Sequence, residues 1–271
     1  MIHPFFFHKL AHREPWAIFF TTASTPNPVQ FITRMPTGES LFFDWGDGSA
    51  VQEVVGTGAD QTTQHTYVTP VAGTEITIND DDDNRFQMLR FNIGYQYLDG
   101  DCPDFRDFSD IVLINLRNNS FDGQLSAFDN CNSFRYLYFK LTPFSGEFPV
   151  ISGNTDAREV YADQGGGFTG NIPSLADLPG LSVFTLYSNA VTGFSGGFTP
   201  LASRNSSLNF RVFNNQLTET AVNLILADAR AAEFGTGDNF ELGGTGNAAP
   251  TGQGLIDKQW LIDNGCTVST N

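Results

Sequence analysis

Charged residues are scarce in this chain of 271 residues, in which Asp, Glu, Lys and Arg together make up 16%. An average soluble domain has about a quarter. Basic residues are the scarcer kind, because 14 Lys and Arg stand against 30 Asp and Glu and leave a net charge of −16. Phosphate recognition needs clustered basic side chains. We therefore expect no nucleic-acid partner.

Long apolar runs are also missing. No stretch approaches the roughly 20 apolar residues of a membrane-spanning helix, so no membrane insertion is expected. The apolar burst Phe5–Phe7 is interrupted by His8 and Lys9, and no small-residue cleavage site follows it. Residues 1–14 are therefore not interpreted as an export signal but as a short anchoring segment.

Residues that carry chemistry are few. Cys102, Cys131 and Cys266 are odd in number and widely spaced, which predicts reduced thiols rather than a disulfide framework. The histidines are His3, His8, His12 and His65, and none lies in the central part of the chain. Nucleophilic catalysis of the Ser-His or Cys-His type needs a histidine beside the nucleophile. We therefore predict a non-enzymatic protein without a cofactor.

Two weaker possibilities for chemistry stay open. Three histidines near the N-terminus could bind a metal, although their spacing in a terminal segment favours unliganded side chains. Among 30 acidic residues, a carboxylate pair for glycoside hydrolysis is also possible.

What the chain does contain is a repeat. The frame L-x-x-L-x-L-x-x-N-x-x-x-G is met by Leu181, Phe184, Leu186, Asn189 and Gly193. Its second apolar position falls at residues 89, 114, 137, 160, 184 and 210, which are 25, 23, 23, 24 and 26 residues apart. This spacing predicts a solenoid in which each repeat contributes one short strand.

Two further ladders keep the same register. The position two residues before the repeat glycine is taken by Phe121, Phe144, Phe168 and Val191, and the dipeptides Phe148-Pro149 and Ile172-Pro173 follow it. The combined pattern N-x-F-x-G-x-I-P over residues 84–245 resembles the leucine-rich-repeat family, in the variant typical of plant receptor ectodomains and of many bacterial and phage surface proteins. It departs from the family at Thr142 and Gly165, where the asparagine is missing.

The resemblance implies a mainly β fold with a curved solenoid and parallel strands. The strands are expected near residues 89–91, 114–116, 137–139, 160–162, 184–186 and 210–212. Residues 217–234 predict a helix, because their apolar side chains recur at helical spacing. A last degenerate repeat around Phe240, a short helix at 255–264 and a final strand predict a C-terminal cap, so the solenoid domain is expected to span 84–271.

The pattern of residues 15–80 predicts a module that differs from the repeats. Strand-like runs alternate with turns rich in Gly, Pro and Asn, which indicates a β-sandwich. The segment Asp44–Ser49 (DWGDGS), followed by His65–Tyr67 (HTY), resembles a polycystic-kidney-disease (PKD) type domain, which implies an immunoglobulin-like fold in which these residues serve the structure. A plain hairpin turn at Asp47-Gly48 is the alternative. The acidic run Asp80–Asp83 could bind calcium, but it lacks calcium-loop spacing and favours a solvated linker.

The concave face of the predicted solenoid is the candidate binding site. Outward positions of its strands collect basic and aromatic residues, which are the types enriched at binding hot spots. The candidate residues are Arg90, Arg117, Arg135, Tyr138, Lys140, Arg158, Tyr161, Tyr187, Arg211 and Phe213. The alternative is that they are ordinary solvated sheet residues.

Together these observations predict a phage virion component, such as a fibre, tail or head-decoration adhesin. It would recognise host-surface glycan or protein, and residues 1–14 would attach it to other virion proteins; whether it forms a homo-oligomer is left open by the sequence. A bacterial cell-surface leucine-rich-repeat adhesin and a glycan depolymerase are the alternatives.

Overall fold

The structure is a computed structural model that describes residues 15–69, 71–80, 87–105, 108–122, 128, 131, 133–149, 151, 153–165 and 167–271. The predicted anchoring segment 1–14, with His3, His8 and His12, lies outside these residues. So do Asp81–Asp83 and the predicted boundary between the N-terminal module and the repeats.

The N-terminal module contributes six strands, divided between two sheets. They are β1 (Ala17–Phe20), β2 (Val29–Arg34), β3 (Ser40–Asp44), β4 (Gln52–Val55), β5 (Gln61–His65) and β6 (Glu75–Asp80). Strands β1, β6, β3 and β4 pair antiparallel in one sheet. Strands β2 and β5 pair with each other in the second sheet.

The repeats form the long side of the second sheet. Its eight parallel strands are β7 (Arg90–Asn92), β9 (Leu113–Asn115), β11 (Tyr136–Tyr138), β13 (Glu159–Tyr161), β16 (Val183–Thr185), β18 (Asn209–Arg211), β19 (Asn239–Glu241) and β20 (Thr267–Ser269). All six predicted repeat strands are present and parallel, which confirms a mainly β solenoid. The two extra strands, β19 and β20, are the degenerate last repeat and the final strand of the cap.

The register corrects the first repeat. Phe91, not Leu89, pairs with Ile114 and so takes the second apolar position of the frame. The two leucine-like positions lie two residues apart on the same face of a strand. The sequence alone therefore allowed the frame to slip by two residues and still look apolar.

Short strands line the opposite side of the turns that begin with β7, β9, β11, β13 and β16. They are β8 (Asp99–Asp101), β10 (Ser120–Asp122), β12 (Ser145–Glu147), β14 (Gly167–Thr169), β15 (Asn171–Ile172) and β17 (Gly193–Phe194). Between the two sides run the predicted ladders: Phe121, Phe144, Phe168 and Val191 are all fully buried. The cap helices are α1 (Glu219–Ala231) and α2 (Gln253–Asp263), and Thr218 caps α1 by accepting a hydrogen bond from the N–H of Ala221.

The N-terminal module is continuous with the solenoid on both sides. Strand β2 pairs antiparallel with β7, and β1 pairs antiparallel with β8. Phe19 and Phe31 both contact Phe91 across the junction, with ring centroids 6.4 Å apart in each case. The module therefore covers the first turn of the solenoid and shares its apolar core.

Asparagine side chains join consecutive turns. In Asn189, Nδ2 donates to the carbonyl oxygens of Ala162, Leu186 and Tyr187 at 3.0–3.2 Å, and Oδ1 accepts from the N–H of Phe168. Asn119, Asn215 and Asn247 repeat this pattern. Such bonds satisfy backbone groups that would otherwise be buried without partners. Where the asparagine is missing, Thr142 donates a single bond to the carbonyl of Leu116.

Candidate functional site

The outward face of the parallel sheet is organised in rows that run across the strands. In each strand of this sheet from β7 to β19 the middle residue is buried, and the first and third residues are partly exposed in most turns. The third-position row is Asn92, Asn115, Tyr138, Tyr161, Thr185, Arg211 and Glu241. Two residues further along each turn lies a second row, Arg117, Lys140, Asp163, Tyr187 and Phe213.

A repeated backbone conformation follows the second row. Asn118, Leu141, Gln164, Ser188 and Asn214 all have φ between 53° and 65°. Only a minority of non-glycine residues adopt this left-handed conformation. It occurs directly after the second-row residue, three residues beyond the end of each of these strands, so the chain turns at the same point in each of these repeats.

The first cluster on this face, which we call the Arg117 cluster, contains three of the predicted residues. The guanidinium of Arg117 lies over two aromatic rings, 5.2 Å from the centroid of Tyr95 and 4.6 Å from that of Tyr138. The ring of Tyr161 packs edge-on against Tyr138, with centroids 5.3 Å apart. Tyr138 donates from its hydroxyl to Oε2 of Glu159 at 2.7 Å. Burial and this bond raise the pKa of Tyr138, so it is a neutral donor.

The second cluster, the Arg211 cluster, contains three more predicted residues. The rings of Tyr187 and Phe213 stack nearly in parallel, with centroids 4.4 Å apart and an interplanar angle of 9°. The guanidinium of Arg211 lies 5.2 Å and 5.4 Å from these two centroids. Its Nε donates to Oε2 of Glu241 at 3.0 Å. An arginine close to two aromatic rings therefore occurs twice, once with a carboxylate partner and once, among the described residues, without one.

Lys140 lies between the two clusters and is paired. Its Nζ is 3.4 Å from Oδ2 of Asp163, whose side chain is only 1% exposed. Burial alone would lower the pKa of Lys140, but the charge of Asp163 raises it overall. Thr185 donates to the other carboxylate oxygen at 2.6 Å. Lys140 therefore compensates the buried charge of Asp163 and is not a free cation that is available to a ligand.

Arg90 lies at the junction with the N-terminal module. It forms an ion pair with Asp60, which also binds Arg34 at 2.7 Å. Arg90 is therefore paired with a carboxylate, that of Asp60, which the repeat pattern in the sequence did not place on this face.

The remaining two candidates lie off the face. Arg135 and Arg158 come directly before β11 and β13. They therefore lie outside the alternation of inward and outward strand residues, at the edge of the sheet where the strands begin. Arg158 packs against Gly180, where an added Cβ would come within 0.9 Å of its Nη1. Arg135 is half exposed, with Nη2 3.8 Å from Oδ2 of Asp156. The sequence predicted six basic residues on one face of the sheet. The structure places four of them there: Arg90, Arg117, Lys140 and Arg211.

Sequence reasoning did not count acidic residues as partners of the basic ones, and it missed one aromatic residue. Asp60, Asp163, Glu159 and Glu241 balance the face, so it is mixed in charge rather than strongly basic. Tyr95, which is 49% exposed, was missed because it follows the second row, at the position equivalent to Asn118, which neither outward row includes. Glu159 and Glu241 occupy outward strand positions in repeats whose register was predicted correctly, so the sequence could have found them.

The motif residues of the N-terminal module also come together. His65 Nε2 lies 2.8 Å from Asp47 Oδ2, and the ring of His65 stacks on Trp45 with centroids 5.0 Å apart. Tyr67 donates from its hydroxyl to the carbonyl of Trp45 at 2.9 Å. Burial raises the pKa of Tyr67 to about 12. These contacts are internal to the module, and Asp47-Gly48 lies in the turn between β3 and β4.

The three cysteines are not joined in disulfides: Cys131 and Cys266 are buried, and Cys102 is partly exposed. Burial raises the pKa of Cys266 to about 11. Within the described ranges, no group of three or more His, Cys, Asp or Glu is arranged to hold a metal ion. None of the helices described is both long and apolar enough to cross a membrane.

Comparison with known proteins gives one partial similarity. The chain is 35% identical over 120 residues to the receptor-like protein kinase HAIKU2 of Arabidopsis thaliana, which covers 43% of this chain and 11% of that protein. No protein-family model matches the chain. The similarity and the solenoid together fit a leucine-rich-repeat type of protein. Because the match spans about a ninth of the plant protein, its activity does not carry over.

Proposed function

We propose that this protein is a non-enzymatic binding protein whose concave sheet recognises a surface glycan. The observation that carries the proposal is the pair of aromatic–arginine clusters on one outward face, the Arg117 cluster and the Arg211 cluster. Flat aromatic rings offer an apolar surface to the C–H faces of a sugar, while neighbouring polar groups hydrogen-bond its hydroxyls. A protein ligand is the second candidate, since Tyr and Arg are enriched at interface hot spots.

The geometry favours an extended ligand. Third-position residues follow one another from strand to strand, and adjacent strands lie about 4.8 Å apart. Tyr138, Tyr161 and Tyr187 therefore lie on three successive strands or the turns that follow them. A chain of sugar rings laid across the strands would meet an aromatic or polar side chain at each step.

The test is glycan binding by the wild type and two variants. We expect Tyr161→Ala and Tyr187→Ala each to weaken binding to the glycans retained by the wild type on an array, by about 1–3 kcal/mol. Tyr97→Ala is the matched control, because Tyr97 is 43% exposed and belongs to neither cluster. Equal binding by all four proteins would remove the concave face as the recognition surface.

Placement in a phage virion, as a fibre, tail or head-decoration adhesin, is part of the proposal. It is supported by the resemblance of the repeat to those of bacterial and phage surface proteins. Mass spectrometry of purified particles and immunogold labelling would detect the protein in the virion. Labelling of intact host cells without phage would instead favour a bacterial surface adhesin.

We likewise propose that the protein is not an enzyme, in preference to the alternative that it is a glycan depolymerase. The histidine of the N-terminal module, His65, is engaged with Asp47 and Trp45 in internal contacts. Incubation of the purified protein with host polysaccharide should release no new reducing ends. Release that Glu159→Gln abolishes would establish the depolymerase instead.

The N-terminal module is proposed to be PKD-like. The supporting contacts are those that join Trp45 and Asp47 to His65 and Tyr67. In this arrangement the motif stabilises the module, and the module covers the first turn of the solenoid.

A further inference from the structure

We infer that the Arg117 cluster binds a carboxylate group on the ligand, so that the recognised glycan contains an acidic sugar such as a uronic acid. The inference rests on the proposed glycan-binding function and deepens it. It is carried by the contrast between Arg117 and the other three cations of the concave face.

Arg117 is the one cation of that face with no carboxylate within ion-pair distance among the described residues. Arg90, Lys140 and Arg211 each have such a partner, namely Asp60, Asp163 and Glu241. A surface that neutralises three of its four cations and leaves the fourth uncompensated has a specific place for an added negative charge.

The guanidinium of Arg117 is held in a fixed orientation. Its Nε donates to Oδ1 of Asn115 at 3.0 Å, and Asn115 in turn donates from Nδ2 to Oδ1 of Asn92 at 2.8 Å. The rings of Tyr95 and Tyr138 lie within 5.2 Å of its central carbon. A guanidinium fixed in this way loses little rotamer entropy when a ligand binds.

The free edge of Arg117 matches a carboxylate. Asn115 accepts from Nε, and the two Nη atoms donate to no described residue. Two parallel N–H donors on a planar fork suit the two oxygens of a carboxylate. The nearby phenol of Tyr138 is committed as a donor to Glu159, which leaves Arg117 as the anion-binding group.

Gly94 is a positioning residue for this site. A Cβ atom added there would lie 2.6 Å from Nδ2 and 2.7 Å from Oδ1 of Asn115. Any larger residue at 94 would therefore displace Asn115, which holds Arg117. The absence of a side chain at 94 leaves room for the amide of Asn115 that accepts from Nε of Arg117.

The sheet itself provides a matched internal control. Arg211 has the same two-ring environment as Arg117, but its Nε is bound to Glu241. Both arginines lie on the same face and in the same overall field of a chain with net charge −16. A difference in carboxylate binding between them would come from local pairing and not from the general charge.

The experiment is an NMR titration of the full chain with sodium D-galacturonate, and with its neutral methyl ester as the matched probe. The arginine Nε–Hε signals are assigned with Arg117→Gln and Arg211→Gln. We expect galacturonate to shift the Arg117 signal saturably and to leave that of Arg211 nearly unchanged. The ester should bind about tenfold more weakly, because it cannot accept the charge-assisted pair.

Variants extend the test to affinity. Arg117→Gln should weaken galacturonate binding about tenfold, Arg117→Lys should restore only part of it, and Arg211→Gln should leave it unchanged. Equal shifts with acid and ester at the cluster tyrosines would overturn the carboxylate inference and leave sugar binding on the face intact. No saturable shift at any residue of the face with either probe would count against both the inference and the glycan-binding proposal.

Discussion

His65 and Asp47 lie 2.8 Å apart, between Nε2 and Oδ2, and this contact joins the two halves of the N-terminal motif. Asp47 also accepts a hydrogen bond from the N–H of Ser49 at 3.0 Å. Hydrogen bonds from Ser49 and His65 lower the pKa of Asp47 from 3.8 to about 2. The ionised carboxylate is thus the form that the folded module favours.

The first prediction concerns pH. Because the pKa of Asp47 is lower in the folded state, its contribution is complete above about pH 4 and is lost as the pH falls towards 2. The side chain is partly exposed, so we expect a contribution below about 1 kcal/mol. Asp47→Asn should lower the free energy of unfolding at pH 7 by this amount and make it less pH-dependent between 4 and 2. Urea unfolding at several pH values measures both effects, and an unchanged pH profile would remove Asp47 as a titrating contributor.

The second prediction concerns the phenylalanine ladder. Phe144 is fully buried and contacts Phe139 and Phe128. Phe144→Ala should lower the free energy of unfolding by about 3–5 kcal/mol, since it leaves a cavity between the two sides of the turn. Phe20→Ala, at a position 36% exposed, is the matched control and should cost clearly less. Similar losses of unfolding free energy for the two variants would mean that the ladder contributes no more to stability than an exposed phenylalanine does.

The third prediction concerns the asparagine ladder. Asn189→Ala removes the contacts of the two Nδ2 hydrogens with three carbonyls and one accepted bond, so we expect a loss of at least about 2 kcal/mol. Asn189→Thr should cost less, because Thr142 makes one such bond at the equivalent position. Thermal or denaturant unfolding gives the order of the two variants. The reverse order would indicate that packing rather than hydrogen bonding sets the cost.

The fourth prediction ranks the basic residues in binding. Arg135 is at the edge of the sheet and 51% exposed, while Arg117 lies among three tyrosines. Arg135→Glu should therefore affect adsorption to host cells or glycan binding less than Arg117→Gln does. A larger effect of Arg135→Glu would move the recognition surface to the edge where the strands begin. Circular dichroism of both variants controls for misfolding.

The sequence by itself determined the architecture of the repeats. The spacing of apolar residues placed six parallel strands, the phenylalanine ladder and the two cap helices, because in a solenoid each turn contacts its neighbours in sequence. Local periodicity then specifies nearly all of the packing. The one slip, Leu89 for Phe91, occurred where the repeats begin and no preceding turn fixes the register.

Only the tertiary structure decided the character of the concave face. Asp60 reaches Arg90 from 30 residues away, and Glu241 meets Arg211 across 30 residues. Charge pairing of this kind depends on which side chains the register places side by side and on their rotamers, and neither follows from the composition of a row. It was this pairing that reduced a basic surface to a mixed one and left Arg117 as its uncompensated cation. The division of the N-terminal strands between two sheets was decided in the same way, because β-pairing partners far apart in sequence are chosen by the whole fold.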